Sequence, residues 1–286
     1  MIRILVTGAN GQLGSQLKMI ADSYNNFSFF FTDLPEFDIS SSYQIDSVFE
    51  KYKPNWLINC AAYTAVDKAE ADQELAELIN SQAPALLATA CEQHNCRMIH
   101  VSTDYVFDGN RSRPYKEDHE KNPNGVYART KSVGEDLVLY NNSGSIIIRT
   151  SWLYSAFGNN FMKTMIRLAK EKGHLRVVAD QVGTPTWTGD LARVILTAIS
   201  NNIAPGIYHF SNEGICSWYD FAKAIIELDK IDATVEPIPT KDYPTAAPRP
   251  YYSVLDKSLI KATLSLTIPH WRDSLKVCLK EFNEQG

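Results

Sequence analysis

Tyr127 and Lys131 stand four residues apart in the run Tyr-Ala-Arg-Thr-Lys, and Ser102-Thr103-Asp104 lies some two dozen positions upstream. On a helix, residues at that spacing lie one above the other on a single face, with Cβ atoms roughly 5–6 Å apart. The pair can therefore act on one bound molecule. A free phenol has a pKa of about 10 and is a reluctant acid or base at neutral pH, but a nearby ammonium favours the phenolate and brings the group closer to its working range. A neighbouring hydroxyl such as that of Thr103 can hydrogen-bond the oxygen whose charge changes. Together these are the parts needed to protonate an alkoxide as hydride arrives at a carbonyl.

Tyr-x-x-x-Lys is a weak pattern by itself, and it occurs twice, at Tyr127/Lys131 and at Tyr219/Lys223. At least one match is expected to be chance, a helix tyrosine with its ring on the core and its hydroxyl at the surface. The surrounding elements separate the two. Ile2 to Val6 is a short β-rich run that enters Gly8-Ala9-Asn10-Gly11-Gln12-Leu13-Gly14 before a helical pattern through Leu17 and Ile20. Glycines at that spacing let the backbone approach a pyrophosphate, and the helix start supplies free N–H groups at a positive dipole end. A second apolar run, Phe27 to Phe31, ends at Asp33, nineteen residues beyond Gly14. An acid at about that distance can accept hydrogen bonds from an adenosine ribose. Asp38 and Ile39 are expected to border the adenine, and the serines at 40–42 to start a helix continuing through Ile45, Val48 and Phe49.

Further along, Trp56 to Cys60 is a buried strand followed by Ala62, Tyr63 and Thr64, at the end where ligands of open α/β sheets gather. A long alanine-rich helical region, broken near Ala83-Pro84, runs to about His94. Arg97 to Val101 is the next strand and delivers Ser102, Thr103 and Asp104 to the edge that carries the glycine loop. The polar stretch 105–125 is too long for a routine connection and so is expected to be functional. A helix follows from near Val126, carrying Tyr127, Lys131, Val133 and Leu137. Ile146 to Arg149 is another strand and ends at Thr150-Ser151-Trp152. This alternation is that of an α/β protein with a doubly wound parallel sheet, a Rossmann architecture.

Residues 1–154 are therefore assigned to a dinucleotide-binding domain. Residues 155–286 are assigned mainly to a smaller substrate-binding part, some of whose segments cross back to the sheet. In this second part a helix is expected from about Asn159 to Lys172, and strands at Leu175–Val178 and Ile207–Phe210. Ser217 caps a helix from Trp218 to Leu228, and a last helix is expected near Trp271 to Phe282.

The chain has 286 residues, 44% hydrophobic and 21% charged, with a net charge of −5. That composition suits a large soluble core and argues against a nucleic-acid or membrane-surface footprint. The five cysteines include no C-x-x-C pair and no even framework, as expected of reduced thiols in a cytoplasm. There is no apolar run of membrane-spanning length and no leader pattern at the N-terminus. The expected location is the cytoplasm and the expected partner a small molecule.

With these residues assembled, the chain resembles the extended short-chain dehydrogenase/reductase family, and within it the dTDP-4-dehydrorhamnose reductases. The likeness runs through Thr7 to Gly14, Asn59 to Asp67, Ser102 to Phe107, Arg149 to Tyr154, Gly158 to Phe161, Asp180 to Thr186 and Arg249-Pro250. It implies NADPH or NADH as cofactor and reduction of a C4 keto group on a nucleotide sugar, in the supply of rhamnose for cell-surface polysaccharide. Thr103, Tyr127 and Lys131 become the catalytic residues. The cofactor falls to Gly8, Asn10, Gly11, Gln12, Leu13, Gly14, Asp33, Asp38, Ile39, Ala62, Tyr63 and Thr64, with Tyr127 and Lys131. The sugar nucleotide falls to Thr103, Asp104, Trp152 and Arg249. Dehydratases of the same family follow the threonine with Asp-Glu, whereas here Asp104 precedes Tyr105. Two alternatives remain from the sequence, a sugar-nucleotide epimerase and a non-catalytic regulatory subunit similar to the β subunit of methionine adenosyltransferase. Some relatives are associated with magnesium, for which the sequence offers no Asp/Glu/His cluster. A homodimer is compatible with the sequence, and so are both forms of the nicotinamide cofactor.

Overall fold

The β-branched and aromatic runs pair side by side, and the amphipathic segments between them cover both faces of the resulting sheet. A computed structural model describes residues 1–285. The first half contains β1 (Ile2–Thr7), α1 (Gln12–Ile20), β2 (Phe27–Thr32), α2 (Ser42–Tyr52) and β3 (Trp56–Asn59). Three helices follow, α3 (Val66–Ala69), α4 (Gln73–Glu77) and α5 (Ala83–Gln93), then β4 (Arg97–Thr103), α6 (Val126–Asn141) and β5 (Ile146–Thr150). The second half contains β6 (Leu153–Tyr154), α7 (Phe161–Lys172), β7 (His174–Val178), β8 (Val182–Gly183), β9 (Thr186–Trp187), α8 (Thr188–Ser200) and β10 (Gly206–His209). It closes with β11 (Cys216–Ser217), α9 (Trp218–Leu228), β12 (Thr234–Ile238), α10 (Ser258–Leu264) and α11 (Trp271–Gln285).

Six strands form one parallel sheet in the order β10-β5-β4-β3-β1-β2. The winding reverses between β1 and β3, and in doubly wound sheets ligands bind in the crevice that such a reversal leaves at the carboxyl edge. Alternate side chains of a strand face opposite sides. Ile4, Val6, Ile58, Ile99 and Ile148 meet α1, α8 and α10 on one side, while Leu5, Leu57, Met98 and Ile147 meet α2, α5 and α6 on the other. A separate apolar cluster joins Met162 and Ile166 of α7, Phe221 and Ile225 of α9, and Leu275 and Leu279 of α11 to Leu175 and Val177 of β7. The second half thus builds its own core and also supplies β10 and α8 to the first.

Two local expectations change. The helical region is not broken at Pro84: Leu78–Gln82 is a π-helical turn that runs directly into α5, and Pro84, which has no N–H to donate, falls at the passage from one to the other. α7 begins at Phe161, because the Asn160 side chain accepts from the Lys163 N–H at 3.1 Å and caps it. On α6, Val133 is 42% exposed, and between the buried Val126 and Val138 at its two ends the buried face is made by Ala128, Thr130, Lys131, Ser132, Gly134 and Glu135. That face is small and polar because it lies hard against the π turn. A Cβ on Gly134 would run into the Asn80 carbonyl, while Ser81 Oγ donates to the Thr130 carbonyl at 2.8 Å.

Polar groups hold α6 to the sheet. Arg149 of β5 donates from Nε and Nη2 to the two oxygens of Glu135, at 2.9 and 2.8 Å, with side chains 1% and 0% exposed. Arg149 Nη1 meets His209 Nε2 at 3.3 Å, and His209 Nδ1 donates to the Tyr115 carbonyl at 3.1 Å. Tyr115 in turn bridges Leu255, which ties the long 105–125 segment to the second half of the chain. Burial, with the Arg149 guanidinium beside it, pushes His209 down to about 3. Its folded value is depressed, so its contribution to stability is complete above the ordinary histidine pKa of about 6.5 and is lost as pH falls below it, at up to about 1.4 kcal/mol per pH unit. Urea titrations at pH 7 and pH 5 should therefore show a larger loss of unfolding free energy in the wild type than in His209→Gln, by roughly 1–2 kcal/mol. Equal losses would mean that the buried imidazole does not carry the acid sensitivity.

Candidate active site

The carboxyl ends of the central strands open into a cavity of about 600 Å³, within the usual range for a small-molecule site. Its floor and one wall come from the glycine loop, with Gly8, Gly11, Gln12 and Leu13 lining it. Gly8 has φ +65°, and a Cβ there would lie 2.6 Å from the Ala61 amide nitrogen. A Cβ on Gly14 would be driven into the Gly8 carbonyl, so only glycine lets α1 pack this closely on the loop after β1. Gly11 precedes α1 with no side-chain cap, which leaves the first N–H groups of the helix free at a positive dipole end. These features fit the diphosphate of a dinucleotide.

Asp33 stands at the end of β2 and accepts from the Asn10 N–H at 2.8 Å through one oxygen and from the Leu34 N–H at 2.8 Å through the other. It is fastened to the glycine loop, although neither Asp33 nor Asn10 lines the cavity. Asp38 and Ile39 lie farther off. The Asp38 carboxylate accepts from the Ser40 backbone and hydroxyl, and Ile39 is buried with α2 in the core. Ala62 and Thr64 line the cavity, whereas Tyr63 between them turns away, its hydroxyl on Asp72 at 2.8 Å and its backbone on the Asn80 amide. Arg249 does not line the cavity either; it pairs with Asp67 at 2.8 Å and closes on the Ala247 carbonyl.

β4 and α6 bring Thr103, Asp104, Tyr127 and Lys131 onto the same cavity. Thr103 donates its hydroxyl proton to Asp104 Oδ1 at 3.0 Å and accepts from the Tyr105 N–H at 3.2 Å. Burial pushes Asp104 up to about 6, against the stabilising influence of the nearby Ser253 and Thr103 hydroxyls, of which Thr103 makes the hydrogen bond. The expected influence of Lys131 on the phenol is not what the geometry provides. The Lys131 Nζ donates to the Val101 carbonyl at 2.8 Å and lies 3.2 Å from His100 Nε2. Burial takes the Tyr127 phenol up to about 12, with the Thr103 hydroxyl working in the opposite direction, and it takes the Lys131 ammonium down to about 8. Tyr219 lies away from this site, packed against the second apolar cluster.

Trp152 lines the cavity with φ +46°, an uncommon conformation for a bulky residue that persists only where the surroundings over-determine it. Its ring stacks on Trp218 with centroids 3.5 Å apart and planes 10° apart, and Phe161 packs beyond Trp218 at 4.6 Å. Trp218 and Phe161 also line the cavity; in the sequence Trp218 is one apolar helix residue among many, and Phe161 ends one of the segments that carry the resemblance without a role of its own. Ser102 and Thr150 had no role assigned either. Their hydroxyls are buried beside the cavity with no protein partner, a condition that a bound polar ligand would relieve. Among the described residues, no group of three or more His, Cys, Asp or Glu side chains converges as a metal site requires.

Comparison with known proteins agrees with this geometry. Residues 2–284 match the family model described as the RmlD substrate binding domain. A dTDP-4-dehydrorhamnose reductase of Aggregatibacter actinomycetemcomitans is 42% identical, over 96% of this chain and 98% of its own. The crystal structure of a dTDP-4-dehydrorhamnose reductase from Clostridium acetobutylicum superposes with a TM-score of 0.95 at 44% identity, covering 99% of this chain and 100% of that one. That of a dTDP-4-dehydrorhamnose reductase from Bacillus anthracis in complex with NADP also gives a TM-score of 0.95, at 39% identity over 98% and 100%. The match spans both halves of the chain, and the chain belongs to the RmlD substrate binding domain family.

Proposed function

We propose that the chain reduces the C4 keto group of dTDP-4-dehydro-L-rhamnose to give dTDP-L-rhamnose, with NADPH or NADH as the reductant. The carrying observation is that one cavity holds a glycine-rich helix start, the Tyr127 phenol beside Thr103 and Lys131, and an aromatic platform. When bound, the reduced nicotinamide supplies the hydride that adds to C4. The N–H groups at the start of α1 and the bare Cα atoms of Gly8 and Gly11 hold the diphosphate, and Asp33 faces the adenosine ribose. Ala62 and Thr64 border the cofactor, and Lys131 reaches its nicotinamide ribose.

Tyr127 is the proton donor. With its phenol pushed up to about 12 it keeps its proton at neutral pH, and it gives that proton up when negative charge develops on the C4 oxygen. Thr103 stabilises the same oxygen, an electrostatic role that a water-poor site strengthens. Its single hydroxyl proton is shared with Asp104, so the protonation state of Asp104 decides which way Thr103 points. The stacked Trp152 and Trp218 rings offer a rigid apolar surface to the sugar. The direct test is to mix purified protein, either reduced cofactor and the keto sugar nucleotide. Stoichiometric cofactor oxidation and a rhamnosyl product by NMR are expected. Nucleotide binding without turnover would point to a regulatory subunit, and inversion of a stable sugar nucleotide without net cofactor consumption to an epimerase.

Two substitutions separate roles within this reading. Tyr127→Phe should lower turnover by about 10²–10⁴-fold with the fold retained, whereas Tyr219→Phe should leave it nearly unchanged. The opposite ranking would exchange the two tyrosines. Asp33→Ala should weaken NADH more than NADPH, because the 2′-hydroxyl loses an acceptor while the 2′-phosphate loses a repelling charge. Equal losses in the two dissociation constants would leave the carboxylate only its structural bonds to Asn10 and Leu34.

A further inference from the structure

Beneath the cavity a chain of four buried polar side chains crosses from β1 to α6. Thr7, Asn59, His100 and Lys131 are 0%, 1%, 0% and 2% exposed. Thr7 Oγ1 donates to Asn59 Oδ1 at 2.7 Å, and the Ala61 N–H donates to the same oxygen at 3.1 Å. Asn59 Nδ2 lies 3.0 Å from His100 Nδ1, and His100 Nε2 lies 3.2 Å from Lys131 Nζ.

The donors and acceptors of this chain can be assigned from one end. A backbone N–H can only donate, so Ala61 fixes the oxygen end of the Asn59 amide and turns its NH₂ toward His100. His100 Nδ1 must then present its lone pair. Burial, with Lys131 beside it, holds His100 well below the ordinary histidine range, so the ring is neutral and carries its one proton on Nε2. That N–H points at Lys131 Nζ. An uncharged amine has a lone pair to receive it, whereas an ammonium has none.

We propose that His100 is a positioning residue for Lys131: locked as the Nε2–H tautomer by Thr7 and Asn59, it favours the uncharged amine seated on the Val101 carbonyl and turns the ammonium out toward the cavity. Protonation of Lys131 and its delivery to the ligand side of the site are then one event. The groups facing Lys131 act in both directions. From β4, His100 disfavours its charge, while Glu135 on α6 supports it; Tyr127 lies one turn away on the same helix. The low value of about 8 for Lys131 agrees with a seat in which the charged form is poorly accommodated. The consequence for turnover rests on Lys131 serving the bound cofactor as proposed above, but the protonation equilibrium does not.

The test is therefore made first on the full chain without added ligand. ¹⁵N spectra of the histidine rings should show His100 protonated on Nε2 and bare on Nδ1; a proton on Nδ1 would overturn the proposal, and this measurement needs no variant. In His100→Phe, which keeps a ring of similar size and removes the N–H, the Lys131 ¹³Cε titration should move up by about one pH unit. The alkaline limb of the pH profile of kcat should move up with it. A structural role alone would lower kcat at every pH and leave both midpoints in place, and that result would also overturn the proposal. If the lysine titration moves and no turnover is seen with any variant or with the wild type, the latch stands and the assigned reaction falls.

Discussion

The bidentate contact between Glu135 and Arg149 is the constraint on which the placement of this site depends. Both side chains are almost wholly removed from water, and the guanidinium is tolerable there because it is matched by the carboxylate, which Lys121 Nζ also approaches at 3.5 Å. Removing the carboxylate would leave the buried guanidinium without its bidentate partner, at a cost of about 3–5 kcal/mol. The pair fixes the rotation of α6 about its own axis relative to β5. Tyr127 and Lys131 lie on the same helix, about two turns and one turn before Glu135 respectively, so its rotation determines whether they face the cavity. Through His209 and Tyr115 the same arginine reaches β10 and the long 105–125 segment, of which Tyr105 lines the cavity.

Burial then sets the chemistry. It disfavours the charged form of every group it touches, and here it raises Tyr127 and Asp104 and lowers Lys131 and His100. Before ligand binds, all four are pushed toward neutrality. A phenol in this condition is a poor base and keeps its proton for a developing oxyanion. The cavity holds two kinds of polar group. The glycine loop offers backbone N–H donors in a fixed arrangement, at a cost only in residues that must be glycine. The β4 and α6 side supplies side chains whose protons can be redistributed.

The second half of the chain does more than cover the cavity. Ser155 Oγ donates to Gln12 Oε1 at 3.2 Å, Thr188 Oγ1 donates to Gln16 Oε1 at 3.1 Å, and Gly158 leaves just enough room beside the Gln12 side chain. These contacts bind the start of α1 to α8 and to the segment before α7. The stacked Trp152 and Trp218 join β6 to α9 on the other side of the opening. Each wall of the site therefore rests on a different apolar cluster, and a change in packing between the two clusters alters the width of the cavity between them.

Where a strand is buried on both faces, its sequence is legible because apolar β-formers must run without interruption; Ile4, Leu57, Ile99 and Ile147 are unmistakable in this respect. The glycine loop is legible for a similar reason, since no other residue type satisfies the backbone at Gly8 and Gly14. The doubly wound order follows from alternation of strands and helices, and Thr103, Tyr127 and Lys131 follow from their positions at strand and helix ends. What the sequence could not decide is which polar groups meet. The middle of the buried face of α6 carries Thr130, Lys131, Ser132 and Glu135, whereas the apolar Val133 lies outside, so apolar period alone does not trace that face. Asn59 and His100 look like ordinary strand residues until β3 and β4 are laid side by side, and Trp218 is one apolar helix residue until it stacks on Trp152 from 66 positions away. Hydrophobic burial is additive and needs only the right residue type at the right period, whereas a hydrogen bond or a stacked pair requires a particular partner at a particular distance. Chain folding determines such partners, and only the tertiary structure contains them.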